Sequence, residues 1–351
     1  MSRSSWNPTH RFRSTEIVWD EPPPPPKLQL IDDASRSILA RNDSPDIPYT
    51  WSVNPYRGCT HACAYCYARA FHEYLDLGAG TDFERILHVK HRAPELLAEA
   101  FAKRSWAGEG LAFSGVTDCY QPIERRLTVT RRCLEVCAAH RNPVGVITRS
   151  PLVTRDIDLL EPLARLGAAH VSLSIPILDP ELCRMLEPGA PPPSARLAAV
   201  RALADAGIPV GVSLGPLIPG INDAAMPETL AAAREAGAQW AFTMLVRLAP
   251  SVARVFERRL RETLPLRAGA VMARLRRARD GKLNEGRFGH RMVGQGEAWE
   301  MTMQMFRVHR DRLGFTAPRG REGPSPFRRP GEAVQLSMFP NTRPAPGARE
   351  R

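Results

Sequence analysis

Three cysteines fall within eight residues and form a C-x3-C-x2-C pattern at Cys59, Cys63 and Cys66. Iron–sulfur clusters are held by thiolates, and such short spacings let one loop wrap around a cluster. Three ligands instead of four leave one iron of a 4Fe–4S cluster open to an exogenous molecule, as catalytic zinc sites keep an open position. The alternative is a structural zinc site completed by His61 or His72, but no second ligand pair follows at a suitable spacing. The pattern therefore favours a redox-active cluster.

The rest of the composition is typical of a globular protein in a reducing compartment. Hydrophobic residues make up 43% of the 351 residues, enough for one large core. The cysteine count, seven, is odd and does not suit a disulfide framework. No apolar run approaches the length of a membrane span, and the N-terminus lacks the apolar block of a secretory signal. We therefore expect a soluble, cytoplasmic protein with no membrane partner.

Positive charge is concentrated in one part of the chain. The formal net charge is +11, and basic residues far outnumber acidic ones over residues 247–291. Such a segment can form a surface that tracks the phosphates of a nucleic acid. The alternative is that these arginines only solvate the outer faces of helices. The sequence leaves both interpretations open.

The two ends of the chain are predicted to be disordered. Residues 1–48 are rich in Pro, Arg, Ser and Asp and contain a run of five prolines at 22–26, which favours an extended polyproline-type chain. Residues 317–351 form a similar basic tail. Between them we predict a core over residues 49–250 and a basic helical C-terminal extension over residues 251–316.

Within the core, short apolar runs alternate with longer amphipathic segments. Strand, helix and strand in succession indicate parallel pairing through crossover connections. About six such units predict an α/β fold, a partial (βα)6 TIM-like barrel with parallel strands and outer helices. In such folds the chemistry collects where the strands' carboxyl ends run into loops. The predicted strands are 50–53, 111–114, 144–148, 170–175, 210–214 and 240–245, and the predicted helices are 93–103, 130–140, 159–166, 194–206 and 226–236.

The cysteine pattern, its flanking Asn-Pro-Tyr (54–56) and Tyr-Cys-Tyr (65–67) segments, and the strand–helix alternation resemble the radical S-adenosylmethionine (SAM) superfamily. Within it, residues 49–316 resemble the spore photoproduct lyase-like branch, often labelled DNA repair photolyases. The resemblance implies two cofactors, a 4Fe–4S cluster on the three cysteines and SAM at its open iron. It also implies that the reduced cluster cleaves SAM to a 5′-deoxyadenosyl radical, which abstracts hydrogen from a substrate.

The resemblance marks the segment after the second predicted strand as the contact for the methionine amino group of SAM. The residues there are Ser114, Gly115, Thr117 and Asp118. Glycine permits close backbone approach, and Ser, Thr and Asp supply acceptors for an ammonium group. Without the cysteines, the same segment would be interpreted as a turn that caps a helix. Cys119 is the thiol best placed by sequence to return a hydrogen atom to a substrate, and a buried loop thiol is the alternative.

The resemblance places further SAM contacts after the later strands. A cation after the third strand pairs with the cofactor carboxylate, serines of the fourth approach the ribose and methionine, and a Gly-x-Ile-x-Gly-like segment after the fifth packs against the adenine. The residues at these positions are Arg149, Ser172, Ser174, Gly215, Ile218 and Gly220.

Two charged pairs near these positions have two interpretations each. The pair at residues 155 and 156, Arg155 and Asp156, either contacts a ligand or positions the next helix. Glu187 and Arg196 match the Glu-Pro…Arg pattern of the branch, and they would equally serve as a structural salt bridge.

The predicted partners are a nucleic acid, a sliding clamp and an electron donor such as flavodoxin or ferredoxin. The leading hypothesis for the function is repair-like radical chemistry on nucleic acid. The alternatives are the same chemistry on another substrate, or a non-catalytic, metal-stabilised nucleic-acid-binding module. In the tail, Gln335, Leu336, Met338 and Phe339 resemble the short peptide by which bacterial repair and replication proteins bind the sliding clamp. A chance apolar patch is the alternative there.

Overall fold

The computed structural model describes residues 5–13, 24, 26–316 and 323–331. The residues of the predicted clamp peptide, Gln335, Leu336, Met338 and Phe339, lie outside the described residues. Within the described ranges, no helix combines the length and the apolar character that crossing a membrane requires.

The described residues form strands, α-helices and two short 3-10 helices, Glu73–Leu75 and Pro151–Asp156. The strands are β1 (Gln29–Asp32), β2 (Leu39–Arg41), β3 (Trp51–Val53), β4 (Tyr56–Arg57), β5 (Ile86–Val89), β6 (Leu111–Phe113), β7 (Val144–Thr148), β8 (Ala169–Ser174), β9 (Val210–Ser213) and β10 (Trp240–Phe242). The α-helices are α1 (Arg69–His72), α2 (Thr81–Arg85), α3 (Ala93–Ala102), α4 (Glu124–Leu127), α5 (Val129–Ala139), α6 (Ile157–Arg165), α7 (Pro180–Leu186), α8 (Pro193–Asp205), α9 (Met226–Glu235), α10 (Pro250–Thr263), α11 (Pro265–Arg277) and α12 (Glu297–Arg312).

The larger of two sheets has seven strands in the order β10-β9-β8-β7-β6-β3-β2. Neighbours from β3 to β10 are parallel, and β2 runs antiparallel to β3. In the described part of the chain, β2 and β10 remain the two edges, so this sheet does not close into a barrel. The predicted α/β fold, with parallel strands flanked by helices in a partial-barrel arrangement, is confirmed.

A row of apolar side chains crosses five adjacent strands in register. Val53 is paired with Phe113, Phe113 with Val146, Val146 with Val171, and Val171 with Val210. All five are fully buried. A slip of one residue would turn each strand's side chains to the other face, so this row fixes the register.

The last predicted strand, 240–245, ends three residues early, at Phe242. Its neighbour β9 ends at Ser213, and Pro216 follows shortly after. Proline has no N–H to continue a ladder, which limits how far the two strands can pair. Only an isolated parallel bridge between Leu217 and Leu245 follows among the described residues.

The prediction that residues 1–48 are disordered is wrong for part of this segment. Strand β1 pairs in parallel with β5, and β2 extends the large sheet. Every residue of β1 is exposed, so the sequence contains no buried apolar pattern that would predict this strand. Backbone hydrogen bonds to β5, which β4 flanks on its other side, place β1 in a separate three-stranded sheet.

Part of the tail predicted to be disordered is also ordered. The ring of Phe327 lies 5.4 Å from that of Phe101, centroid to centroid. The backbone nitrogen of Arg328 donates to the carbonyl of His140 at 2.8 Å. Residues 323–331 therefore pack on the body, near the amino ends of β6 and β7. The division into domains at residues 250 and 316 stays a prediction.

Candidate metal and cofactor site

Polar residues end the parallel strands at one edge of the large sheet. Asn54 and Ser114 directly follow β3 and β6, while Thr148, Ser174 and Ser213 are the last residues of β7, β8 and β9. The carboxyl ends of parallel strands meet at the same edge, where α/β folds of this kind place their chemistry.

The cysteine loop runs from β4 to α1 beside this edge. Cys59 and Cys63 are buried, Cys66 is half-buried, and all three thiols are free. Gly58 begins the loop with a φ of +78°, and a Cβ there would lie 2.7 Å from the carbonyl oxygen of Ile86. Glycine is therefore required both by the left-handed backbone and by the lack of space.

The three thiols lie on one loop, and as donor types they fit an iron–sulfur cluster. Cys59 and Cys66 share an apolar cluster with Phe83. Burial raises the pKa of Cys63 and Cys66, whereas His61 lowers the pKa of Cys59 in spite of its burial. A bound metal deprotonates coordinating thiols outright. Three free thiols on one loop match a 4Fe–4S cluster that has one iron without a protein ligand.

The two histidines considered as zinc ligands have different surroundings. His61 is buried, neither of its ring nitrogens has a hydrogen-bond partner among the described residues, and Nδ1 lies 3.5 Å from Oδ2 of Asp118. The Nε2 atom of His72 lies 3.1 Å from the carbonyl oxygen of Ile86, and burial lowers the pKa of His72 to about 4. Among the described residues, no group of three or more His, Cys, Asp or Glu side chains is placed to hold a metal ion as it stands.

Asp118 is anchored at the strand ends. Its Oδ1 accepts a hydrogen bond from the hydroxyl of Thr148 at 2.6 Å, and its Oδ2 accepts one from the backbone nitrogen of Arg149 at 2.9 Å. Burial opposes ionisation of Asp118, but His61 and these hydrogen bonds hold its pKa well below the usual range. Asp118 is therefore a charged acceptor beside the cysteine loop, with a side chain that is only 9% exposed.

The turn at residues 114–117 contacts both ends of the cysteine loop. Ser114 and Gly115 both have positive φ, at 128° and 135°, which is an uncommon conformation for serine. The hydroxyl of Thr117 donates to the carbonyl of Gly58 at 2.7 Å, and the hydroxyl of Tyr67 donates to the carbonyl of Gly115 at 2.5 Å. Strained backbone of this kind clusters at functional sites.

Arg149 belongs to a buried charge network beneath the cysteine loop. Its Nη1 lies 3.1 Å from Oε1 of Glu187 and 3.4 Å from the hydroxyl of Tyr65. Arg196 and the Tyr65 hydroxyl also bond to Glu187, which is fully buried. Burial opposes ionisation, but Arg196 and Arg149 lower the pKa of Glu187 to about 2. A guanidinium has five N–H donors, so Glu187 and a ligand carboxylate can share Arg149.

The segment 186–189 binds the cysteine loop at three points. The nitrogen of Ala64 donates to the carbonyl of Leu186 at 2.8 Å, and the nitrogen of Gly189 donates to the carbonyl of His61 at 3.0 Å. Glu187 adds its contact with Tyr65. The Glu187–Arg196 pair is therefore a buried salt bridge that also supports the cysteine loop, a role its sequence position did not reveal.

Arg69 is a supporting residue that the sequence analysis missed. Its Nε donates to the carbonyl of Cys63 at 2.8 Å, its Nη1 donates to the carbonyl of Ala79 at 2.8 Å, and its Nη2 lies 2.6 Å from Oε1 of Glu84. The side chain is fully buried. The sequence feature that could have indicated this role is that Arg69 is a single cation in the otherwise uncharged stretch directly after Cys66.

The N-terminal segment supports the loop from outside. Oδ1 of Asn7 accepts hydrogen bonds from the nitrogens of Gly80 and Asp82, at 3.1 and 3.2 Å, at the start of α2. Helix α2 in turn provides the carbonyl of Phe83 that accepts from the nitrogen of Cys59 at 2.9 Å, and the carboxylate of Glu84 that pairs with Arg69.

Arg155 and Asp156 form a structural ion pair in a second buried network. Arg155 Nη2 lies 2.8 Å from Oε1 of Glu124, and its Nε lies 2.7 Å from Oδ1 of Asp156. Asp156 also accepts from the hydroxyl of Tyr120 at 2.8 Å. These contacts favour the positioning interpretation of this pair over direct ligand contact.

Cys119 lies in the core. Its side chain is fully buried, and its Sγ lies 3.8 Å from the carbonyl oxygen of Phe113, to which it donates. Burial raises its pKa. This environment favours the buried loop thiol over the predicted hydrogen donor.

The two predicted serines are brought to the expected edge. Ser172 and Ser174 are buried on β8, and the carbonyl of Ser174 accepts from Nη1 of Arg196 at 3.0 Å. Ser174 is paired with Ser213 on the neighbouring strand. Ser174 therefore lies next to the Glu187 network.

The loop after β9 reaches the same edge. Gly215 donates its N–H to the hydroxyl of Ser213 at 3.2 Å, and Ile218 is fully buried. Gly220 has a φ of +87°, and a Cβ there would lie 2.7 Å from Nη1 of Arg274 on α11. The predicted adenine segment therefore lies directly beside a basic helix.

A sequence profile of the radical SAM superfamily matches residues 53–233, just over half of the chain. The chain belongs to the radical SAM superfamily. The matched residues include the cysteine loop, the turn at residues 114–117 and the segment 186–189. The superfamily's cofactors are a 4Fe–4S cluster and SAM, and when bound they supply reductive cleavage of SAM.

Relatives of this radical SAM protein occur in distant organisms. An uncharacterized protein of Mycobacterium tuberculosis (strain ATCC 25618 / H37Rv) is 38% identical over 177 residues, which are 50% of this chain and 52% of the relative. The match therefore spans about half the length of the mycobacterial protein. An uncharacterized protein of Methanocaldococcus jannaschii is 28% identical over 197 residues, covering 56% of this chain and 71% of that protein.

The fold is similar to that of solved structures of spore photoproduct lyase. A mutant of that enzyme matches with a TM-score of 0.59 at 18% sequence identity, covering 81% of this chain and 79% of the other. The complex of spore photoproduct lyase with dinucleoside spore photoproduct matches with the same TM-score, 0.59, at 17% identity. At these identities the similarity concerns the fold.

Proposed function

We propose that this radical SAM enzyme acts on nucleic acid in a repair-like reaction. Cys59, Cys63 and Cys66 would hold the cluster, and the turn at residues 114–117 with Asp118 would receive the amino group of SAM. Arg149 would pair with the SAM carboxylate while Glu187 keeps its charge balanced. The electron would come from flavodoxin or ferredoxin.

One observation carries the choice of substrate: a helix of purely positive charge lies beside the site. Helix α11 contains four arginines and no acidic residue. Arg267, Arg274, Arg276 and Arg277 are all exposed. Arg274 packs against Gly220 in the loop after β9. A helix that carries arginines and no acidic residue attracts phosphates, and Arg274 brings this helix to the loop at the strand ends, where the chemistry is expected.

The solved relatives support the proposal through their fold. Spore photoproduct lyase has this fold and has been solved with a dinucleoside spore photoproduct. A fold hosts many functions, so this likeness ranks candidate substrates and does not replace a test.

The test is reductive SAM cleavage in the presence of candidate substrates. The protein is reconstituted anaerobically with iron and sulfide, reduced, and incubated with SAM and ultraviolet-irradiated DNA, unirradiated DNA, tRNA or buffer alone. We expect a brown chromophore and 5′-deoxyadenosine in every arm, with more of it when nucleic acid is present. Deuterium carried on the nucleic acid should appear in the 5′-deoxyadenosine.

One control variant and two contrary outcomes make the result decisive. Cys63→Ala removes one cluster ligand and should abolish both the chromophore and the cleavage. A nucleic-acid arm that matches the buffer arm in rate and in deuterium content would rule out nucleic acid as substrate. A colourless protein that retains zinc would contradict the cluster itself.

A further inference from the structure

We propose that an aromatic–arginine strip, made of Phe71, Tyr67, Arg247, Arg291 and Phe288, binds an unpaired nucleic-acid strand at the mouth of the site. The proposal rests on the proposed function, since it assigns the surface that would hold the same substrate. It adds that the nucleic acid binds as a single strand and that its bases stack on the aromatic rings of the strip.

The aromatic members of the strip are exposed beside the cysteine loop. Tyr67 directly follows the cluster ligand Cys66, and its ring centroid lies 6.4 Å from that of Phe71, with the rings edge to face. Exposed fractions are 44% for Tyr67, 41% for Phe71 and 54% for Phe288. Large aromatic rings are normally covered in a folded protein, so exposed rings beside the cysteine loop indicate a surface that binds a partner or ligand.

Two arginines connect these rings. The guanidinium carbon of Arg247 lies 5.8 Å from the centroid of Tyr67, and that of Arg291 lies 4.8 Å from the centroid of Phe288. Nη2 of Arg279 donates to the carbonyl of Val246 at 2.9 Å and to that of Arg291 at 3.1 Å, which brings Arg247 close to Arg291. Burial and the charge of Arg291 lower the pKa of Arg247. Asp46 lies near both cations but pairs with Arg291, and among the described residues Arg247 itself makes no ion pair. A phosphate between the two would relieve their repulsion.

Arg291 and Phe288 lie in a segment that contacts two other loops of the protein. Oδ2 of Asp46 lies 2.5 Å from Nε of Arg291, and its Oδ1 accepts from the nitrogen of Gly289 at 2.6 Å. The nitrogen of Leu245, just after β10, donates to the carbonyl of Met292 at 3.1 Å. The connection between α11 and α12 thus contacts two loops, the one after β10 and the one between β2 and β3. These contacts bring Phe288 to the side of the protein on which Tyr67 lies.

The combination of exposed rings with two central cations fits a single strand better than a duplex. Bases stack on aromatic side chains and guanidinium planes in proteins that bind single strands, while arginines follow the backbone. In a duplex the base faces are covered by neighbouring bases, so exposed rings have nothing to stack on. An acidic protein surface, such as that of an electron donor, would use the arginines but leave the rings without a role.

The experiment compares ring removal with base removal. The reconstituted enzyme is titrated with fluorescent oligonucleotides: a single strand, its duplex, and the same strand with abasic positions. Phe71→Leu and Phe288→Leu remove rings, and Phe71→Tyr and Phe288→Tyr keep them. We expect each ring-removing variant to bind the single strand roughly 5- to 100-fold more weakly. The ring-keeping variants should bind like the wild type.

The abasic strand separates stacking from a general loss of structure. It should bind the wild type more weakly, and ring removal should add little further loss, because the same stacking contact is already gone. Arg247→Ala should weaken binding of every strand and reduce the salt dependence by roughly 0.7 in log–log slope per lost phosphate contact. Arg307→Ala, an exposed arginine on α12, is the matched charge control.

Each other outcome overturns a defined statement. Wild-type enzyme that binds no nucleic acid would overturn the proposed function together with the strip. If the ring-removing variants bind single strands as tightly as the wild-type enzyme does, the strip is overturned and the proposed function stands. Loss of reduction by flavodoxin or ferredoxin in these variants, with strand binding intact, would assign the surface to the electron donor instead.

Discussion

Gly189 packs directly against the backbone carbonyl of Thr60 in the cysteine loop. A Cβ at position 189 would lie 2.0 Å from that oxygen, closer than real side chains approach. No positive φ is involved at Gly189, so space alone demands glycine there. The segment 186–189 and the cysteine loop are 122 residues apart at their Tyr65–Glu187 contact, yet they fit as one unit.

We expect Gly189→Ala to disturb the cysteine loop and reduce cluster content. The added methyl group would push the loop carbonyl away and break the hydrogen bond between Gly189 and His61, which changes the thiol positions. Iron and sulfide per chain after reconstitution, with the absorbance of the cluster, measure the effect. Gly110→Ala is the matched control, because a Cβ there meets nothing within 4 Å. Equal cluster content in the two variants would contradict this account.

Glu187→Gln should destabilise the protein most at neutral pH. The pKa of Glu187 is about 2 in the folded chain, below its unfolded value near 4.3. A depressed folded pKa contributes stability above the unfolded pKa, and that contribution is lost as the pH falls through the folded pKa. The shift corresponds to roughly 3 kcal/mol, similar to the ~3–5 kcal/mol cost of breaking a buried ion pair.

Urea unfolding of cluster-free wild type and Glu187→Gln measures this difference. We expect the gap in unfolding free energy to be largest at about pH 7 and to shrink between about pH 5 and pH 2. Asp158→Asn is a useful comparison, because Asp158 makes an exposed pair with Arg131 and should cost under about 1 kcal/mol. A gap that does not change with pH would mean that Glu187 acts through packing alone.

The parallel sheet was predictable because its determinants are local. The strand at residues 144–148 is an apolar run that coincides with β7, and the helix predicted at 226–236 differs from α9 by one residue. The cysteine loop was equally visible, since its three ligands lie within eight residues. Short-range patterns of this kind need no knowledge of tertiary packing.

The supporting contacts were not predictable for the opposite reason. The pairing of Arg69 with Glu84 could not be read from the sequence, nor could the contacts that add Tyr65 and Arg149 to Glu187. Asn7 reaches helix α2 across more than seventy residues. Strand β1 is exposed throughout and depends on backbone pairing. Such features depend on where the chain brings distant segments together, and composition misassigned the N-terminal segment as disordered.

Cys119→Ala should leave the chemistry intact. The thiol is fully buried and bonds to a backbone carbonyl, so its removal leaves only a small cavity that costs on the order of 1 kcal/mol. We expect wild-type yields of 5′-deoxyadenosine and of deuterium transfer, measured in the nucleic-acid assay above. A variant that cleaves SAM normally but no longer completes product would restore Cys119 as the hydrogen donor.

Truncations of the C-terminal tail can separate its effect on stability from its effect on partner binding. Phe327 fills the space that Gly108 leaves, where a Cβ would lie 2.3 Å from it, and Ser325 donates to the carbonyl of Gly108 at 2.6 Å. Removing residues 323–351 uncovers this site and should lower the free energy of unfolding by about 1–3 kcal/mol. Removing residues 332–351 alone should leave it unchanged. Cluster content should stay at the wild-type value in both truncations, because the tail docks near the amino ends of β6 and β7.

The same two truncations test the clamp peptide. Gln335, Leu336, Met338 and Phe339 are absent from both, so both should lose binding to the sliding clamp, whereas full-length Phe327→Ala should lose stability and keep that binding. Calorimetry gives the first quantity and surface plasmon resonance on immobilised clamp the second, with a known clamp peptide as positive control. Because docking of the tail and the clamp peptide involve different residues, the two losses must separate in this way. Clamp binding that survives removal of residues 332–351 would show that the predicted peptide is a chance apolar patch.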